Sequence, residues 1–313
     1  MPFEPVILFF LLGLLAGIIR SDLKIPGVLY ESLSIFLLLA IGLKGGVALA
    51  HHPVGDLFGQ AVVVVLVAGL IPLAAFPLLH RVGGFARADA ASIAAHYGSV
   101  SVVTFAVASS YIASRGVAAE GYLVVFLALL EFPALVLGVA LARRGTGDTP
   151  WGRILHEVFA GRSILLLVGG LAIGWIAGGE GIKPLDRLFF DLFKGMLAFF
   201  LLEMGLVAAA RLADLHRAGA FLLAFATLMP IAAGLLGVFT ANLLDLSVGG
   251  ATLLATLYAS ASYIAAPAAM RIAVPEANPG LSIGASLGIT FPFNLLLGIP
   301  LYHWLAGQLQ GVV

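Results

Sequence analysis

The chain has 313 residues, 61% of them hydrophobic and only 10% charged, with a mean hydropathy of +1.11. A soluble globular domain carries about 25% charged residues, so these charges cannot cover a water-facing surface; lipid must cover it, and the chain reads as an integral membrane protein. The net charge of zero argues against nucleic acid as a partner, and the absence of cysteine excludes disulfides and thiol or Cys–metal chemistry.

Apolar runs of about 17–25 residues between polar breaks are read as transmembrane helices. The N-terminal run lacks a basic region and a small-residue cleavage site, so it reads as a retained first span over roughly 5–19 rather than a signal peptide. Further spans are expected at 27–50, 57–79, 88–112 and 120–142. A polar linker, "RRGTGDTPWGRILHEVFAGR" (143–162), separates these from 163–178, 188–210, 219–244, 249–270 and 281–306, making ten, of which the first and sixth are short. The breaks carry Pro, Gly and charge, as in "RSDLKIPG" and "GGEGIKPLDR". Eleven Lys/Arg fall on the side reached after the first span and three on the other. That bias places the linker in the cytoplasm and both termini outside, in a cell (inner) membrane.

The two halves resemble each other. "LLGLLAGIIR" matches "LVGGLAIGWIAG", Gly42 falls opposite Gly205, and Pro72 opposite Pro230. "YGSVS" falls opposite "YASAS", and Phe132-Pro133 opposite Phe291-Pro292, all at an offset near 160. The expected organisation is a first five-helix repeat over 1–142, the linker 143–162, and a second repeat over 163–313. Five spans per half is odd, so the second half enters the membrane inverted, as in secondary transporters that bind substrate near the midplane at discontinuous helices.

The fourth and ninth spans are the expected broken helices, because they hold "YGSVSVVTFA" and "YASASYIAAP", the latter with the helix breaker Pro267. Two half-helix N-termini facing a pocket attract an anion. Ser99, Ser101 and Thr104 from one side, and Ser260 and Ser262 from the other, add hydroxyls, and Tyr263 places a ring in the same pocket. The simpler alternative is that these small residues let helices pack closely. Tyr97, Tyr258 and Glu131 are candidate oxygen ligands for a coupling ion.

With these motifs, together with "IGLKGGVAL", "EFPAL" and "PEANPG" followed by "IGAS", nearly the whole chain resembles the sodium-dependent bicarbonate transporters. The resemblance implies ten helices in two inverted repeats, an elevator-like core moving against a scaffold, and a homotrimer. It also implies bicarbonate bound with sodium between the two breaks, at Ser99, Ser101, Thr104, Ser260 and Ser262, and a PII-like cytoplasmic regulator. Two positions depart from the family pattern. Val103 stands where the pattern has a hydroxyl, and Tyr263 where it has Asp. The family linker is also longer.

Four ionisable residues lie within predicted spans. If the second and seventh helices cross at Gly42 and Gly205, Lys44 and Glu203 share one depth and form an ion pair. Glu131, without a neighbouring Asp, is the remaining carboxylate for cation or proton coupling. Lys194 is near a span end and can snorkel. His96 alone among the histidines neighbours the site, as a helix-packing or titrating group. Gly13/Gly17 and Gly170/Gly174 read as helix contact faces. No metal-ligand spacing, phosphate loop, dinucleotide fingerprint or nucleophile–base pair is present, so no enzyme is expected and no cofactor beyond sodium as coupling ion.

The leading expectation is a secondary active transporter of a small anion, bicarbonate first, with sodium as the candidate coupling ion. The alternatives are a proton-coupled or uncoupled carrier of another small carboxylate, and a non-transporting membrane ligand sensor.

Overall fold

The computed structural model describes residues 4–52, 54–143 and 151–311, and every regular element among them is helical. Helices are what a lipid-covered chain requires, since each satisfies its own backbone polar groups. α1 (Pro5–Ile18) and α2 (Gly27–Leu49) open the chain. α3 (Val54–Ala68) and α4 (Leu70–Pro77) run into a π-helical turn, Leu78–Val82. The wide turn directly follows Pro77, which has no N–H to return to the preceding turn. α5 (Arg87–Gly98), α6 (Val102–Ser114) and α7 (Leu123–Arg143) complete the first half.

Within the expected linker, 144–150 lies outside the described residues, and α8 (Trp151–Phe159) is a short helix. α9 (Arg162–Ile182) outruns the expected sixth span, but Gly178 within it has φ 61°, so the regular helix stops where the span was expected to end. α10 (Phe193–Leu243) is 51 residues long, far more than a bilayer core of about 30 Å can hold at about 1.5 Å per residue. It breaks at Gly219 (φ 78°, ψ 160°), a conformation that glycine adopts without strain, at the start of the expected eighth span.

α11 (Val248–Ala259) and α12 (Ala265–Ala273) follow. The last stretch strings α13 (Pro279–Ile283), α14 (Phe291–Phe293) and α15 (Ile299–Leu309) together through π-helical turns at Gly284–Thr290 and Asn294–Gly298. Pro292 and Pro300 lie just past these wide turns.

Eight helical stretches among the described residues are long and apolar enough to cross a membrane, against the ten spans expected. α1 and α11 fall short, with 14 and 12 residues. α11 is short because the chain unwinds after Ala259 and resumes as α12.

Paired glycines fix the first packing layer. A Cβ on Gly42 would strike Leu167 and Gly170 of α9, and one on Gly46 would strike Leu171 of α9. A Cβ on Gly13 would strike the Leu202 carbonyl of α10, and one on Gly205 the Phe10 carbonyl of α1. α2 therefore seats backbone-to-backbone on α9, and α1 on α10. The contact faces read from Gly13/Gly17 and Gly170/Gly174 are present. The expected crossing of Gly42 on Gly205 is not: each glycine faces a different helix.

The broken helices lie deepest. Every residue from Ala90 to Ala108, and from Gly249 to Ser262, is buried. α5 packs on α4 and α7, and α11 on α10 and α15. Irregular backbone at membrane depth requires such enclosure. α8 closes over this region by placing Ile154 with Ala269 and Met270 of α12.

Candidate functional site

Both Tyr-small-Ser-small-Ser motifs interrupt their helices in the same manner. Ser99 leaves α5 in an extended conformation (φ −91°, ψ 171°), and Ser260 leaves α11 likewise (φ −80°, ψ 164°). The second serine of each motif then caps the next half-helix. Ser101 Oγ accepts from the Thr104 N–H at 3.2 Å, and Ser262 Oγ from the Ala266 N–H at 3.2 Å. Pro267 has no N–H to return to the Tyr263 carbonyl, so α12 cannot extend back through its motif.

The breaks are tied together. The Ser101 N–H donates to Ser260 Oγ at 2.9 Å, and the Ser262 N–H donates to the His96 carbonyl at 2.8 Å. Ser101 Oγ also donates to Tyr263 Oη at 3.2 Å. The Ala259 carbonyl, freed by the end of α11, accepts from Asn294 Nδ2 at 2.8 Å, and Tyr302 holds the Asn294 amide by donating to Oδ1 at 2.9 Å.

The N-termini of α6 and α12 open on one cavity of about 20 Å³, room for about one water. Its polar lining is Ser101, Ser262, Tyr263 and Glu131, with Ser34 of α2 and Ser163 of α9. The Glu131 side chain is 2% exposed, and its Oε2 has no hydrogen-bond partner. Tyr263 fills space here, with its ring edge-on to Phe291 at 5.3 Å and its hydroxyl on Ser101.

The structure thus brings together four of the residues expected from the sequence: Ser101, Ser262, Tyr263 and Glu131. Ser99 and Ser260 shape the breaks instead of lining the cavity. Ser99 Oγ donates to the Glu131 carbonyl at 3.4 Å, and Ser260 Oγ to the Leu257 carbonyl at 2.8 Å. Thr104 is buried in the first turn of α6, outside the lining, and contributes the amide that Ser101 caps.

Several expectations are corrected. Tyr97 and Tyr258 offer no ligand oxygen to the cavity. The Tyr97 hydroxyl shares a 2.7 Å hydrogen bond with Thr290 Oγ1, and the Tyr258 hydroxyl donates to the Val64 carbonyl at 2.7 Å. Each ring precedes its break by two residues, so its hydroxyl reaches a neighbouring helix. Lys44 and Glu203 do not pair. Lys44 lines a cavity between α2, α6 and α10, whereas Glu203 lines a groove with Lys24 and Arg211. Their helices meet different partners at the glycines, which removes the premise of a shared crossing. Lys194 lies 3.5 Å from Glu4 Oε1, an ion pair at the helix end instead of a lone snorkelling cation. His96, for which packing and titrating roles were both open, shares a 2.7 Å hydrogen bond from Nδ1 with the Ser92 carbonyl, while its Nε2 is buried without a partner.

Ser34, Ser163 and Asn294 were not singled out from the sequence. Ser34 and Ser163 sit near other polar residues at helix starts and Asn294 stands alone in an apolar run, so none carries a motif and only their places in space mark them. The assembled groups suit two ligands. Half-helix N-termini and hydroxyls suit an oxyanion, and a carboxylate with hydroxyl oxygens suits a hard cation.

No curated protein matches the chain. The family model described as the Na+-dependent bicarbonate transporter superfamily matches residues 5–307, nearly the whole length, and the chain belongs to that superfamily of transporters.

Proposed function

We propose that this protein is a secondary transporter of a small oxyanion, with bicarbonate as substrate and sodium as coupling ion, and that both bind between the two helix breaks. The observation that carries this reading is the single cavity at which the N-termini of α6 and α12 meet the unpartnered carboxylate of Glu131. The anion takes the half-helix N–H groups and the hydroxyls of Ser101 and Ser262. The cation takes Glu131 and neighbouring oxygens. A buried carboxylate without a partner is costly, so a bound cation stabilises it and offsets the charge of the anion.

The cavity is too small for an anion as it stands. Loading requires Tyr263 to release Ser101 and the cavity to widen. Two inverted five-helix repeats, 1–142 and 163–313, account for the matched breaks and for the two glycine crossings. Gly13 and Gly170 are equivalent positions, as are Gly42 and Gly205, so one crossing maps onto the other. The helices that carry the breaks form the moving core of an elevator, and the glycine-crossed helices form its scaffold. Both termini face outward and the linker is cytoplasmic. Trimeric assembly and a PII-like regulator rest on the family resemblance alone.

A second reading is favoured by one observation. Tyr263 replaces the carboxylate of the family pattern, which leaves Glu131 as the only acidic side chain among the described lining residues. One carboxylate suffices for a proton. Uptake of labelled bicarbonate into proteoliposomes under an imposed sodium or proton gradient separates the two. Acceleration by inward sodium supports symport with sodium, acceleration by protons alone supports the second reading, and no uptake under either gradient overturns both.

A further inference from the structure

A second cavity, of about 310 Å³, lies between α2, α6 and α10, next to the small one. Ile41 and Ala106 line both, so they form the partition between them. Two cations line the larger space, Lys44 and Lys194, with Ser109 and Ser110 opposite, and none of its described lining residues is acidic. Lys194 is offset by Glu4, whose Oε1 also accepts from Ser110 Oγ at 2.8 Å. Lys44 makes no ion pair among the described residues and extends an exposed side chain from a helix otherwise buried around it.

We propose that this cavity is an anion-collecting antechamber. Lys44 concentrates small inorganic anions there, one partition away from Ser101 and Glu131. A cleft lined by one sign of charge within low-dielectric walls raises the local concentration of the opposite ion. A lysine deep in a span is costly, and no ion pair among the described residues relieves it, whereas facing a water-filled anion path does. The purpose of the antechamber rests on the transport reading above, but its potential does not.

The chain contains no cysteine, so one introduced thiol is the sole reactive sulfur. S109C places it in the antechamber, and A113C offers a second position if the first does not fold. Purified protein in detergent is treated with an anionic and a cationic methanethiosulfonate of similar size, and the ratio of rates is compared with that of a free thiol. The expected ratio favours the anionic reagent by about tenfold. It falls most of the way to the free-thiol value in S109C/K44Q, and it is retained in S109C/K44R. Added bicarbonate slows the anionic reagent. A free-thiol ratio with Lys44 present, an unchanged ratio in K44Q, or no reaction with either reagent overturns the proposal. Because the readout needs no transport, absent uptake with a raised ratio contradicts only the transport reading, and uptake with a free-thiol ratio contradicts only the antechamber.

Discussion

The backbone N–H of Ser101 donates to the hydroxyl of Ser260 at 2.9 Å, so the first helix break is held by a side chain of the second. The Ser262 N–H returns the contact by donating to the His96 carbonyl at 2.8 Å. Neither break is self-sufficient. The Ser260→Ala variant leaves a buried N–H without its partner, at a cost of about 1–3 kcal/mol. A lower melting temperature in detergent is expected for Ser260→Ala and a near-normal one for Ser260→Thr, which keeps the hydroxyl. Equal melting of wild type and Ser260→Ala would show that the cross-link does not hold the site.

On the proposed reading, Tyr263 competes with substrate for Ser101, to which its hydroxyl is hydrogen-bonded. Removing its hydroxyl in Tyr263→Phe frees that serine while keeping the ring against Phe291. A neutral hydrogen bond contributes about 0.5–1.5 kcal/mol, so KM for bicarbonate is expected to fall roughly two- to tenfold. A raised KM in initial-rate uptake assays would instead make Tyr263 a substrate ligand.

On the proposed reading, Glu131 supplies the carboxylate for the coupling ion. In Glu131→Gln, acceleration of uptake by an inward cation gradient is expected to disappear. The protein itself is expected to fold about as well as wild type, because Gln keeps the shape of a buried side chain whose Oε2 makes no hydrogen bond. Retained gradient dependence would place the coupling site elsewhere.

The glycine crossings are steric. Gly46→Ala drives a methyl into the Leu171 carbonyl of α9, whereas a Cβ at Gly169 on that same helix meets nothing within 4 Å. Overpacking typically costs about 1–3 kcal/mol. Gly46→Ala is expected to lower the yield of monodisperse protein and its melting temperature, with Gly169→Ala as the unaffected control. Similar behaviour of the two variants would contradict the packing described.

The sequence was most informative where one chemical feature recurred. Two Tyr-small-Ser-small-Ser motifs marked both breaks because the first serine of each leaves one helix in an extended conformation and the second caps the next. Alignment of the halves misled at Gly42 and Gly205 for a geometric reason. In the proposed repeat, equivalent residues make equivalent contacts and touch one another only on the symmetry axis. Gly42 therefore meets Gly170, and Gly205 meets Gly13, and Lys44 is left without Glu203. Ser34 and Ser163 carried no local signal, since they come from α2 and α9 and acquire meaning only where these helices pass the breaks. The division of labour within each motif was equally hidden. Which serine lines the cavity and which braces the backbone depends on backbone angles that composition does not record.

The central claim is that a small oxyanion binds at the paired breaks, and bicarbonate binding to purified protein in sodium buffer tests it most directly. Isothermal titration of wild type, Ser101→Ala and Ser262→Ala, each first shown to be folded and monodisperse, is the measurement. Saturable binding by wild type, weakened about tenfold or more in each variant as expected for loss of a hydrogen bond to a charged group, is the predicted result. Wild-type affinity in both variants, or no binding by wild type, would contradict it.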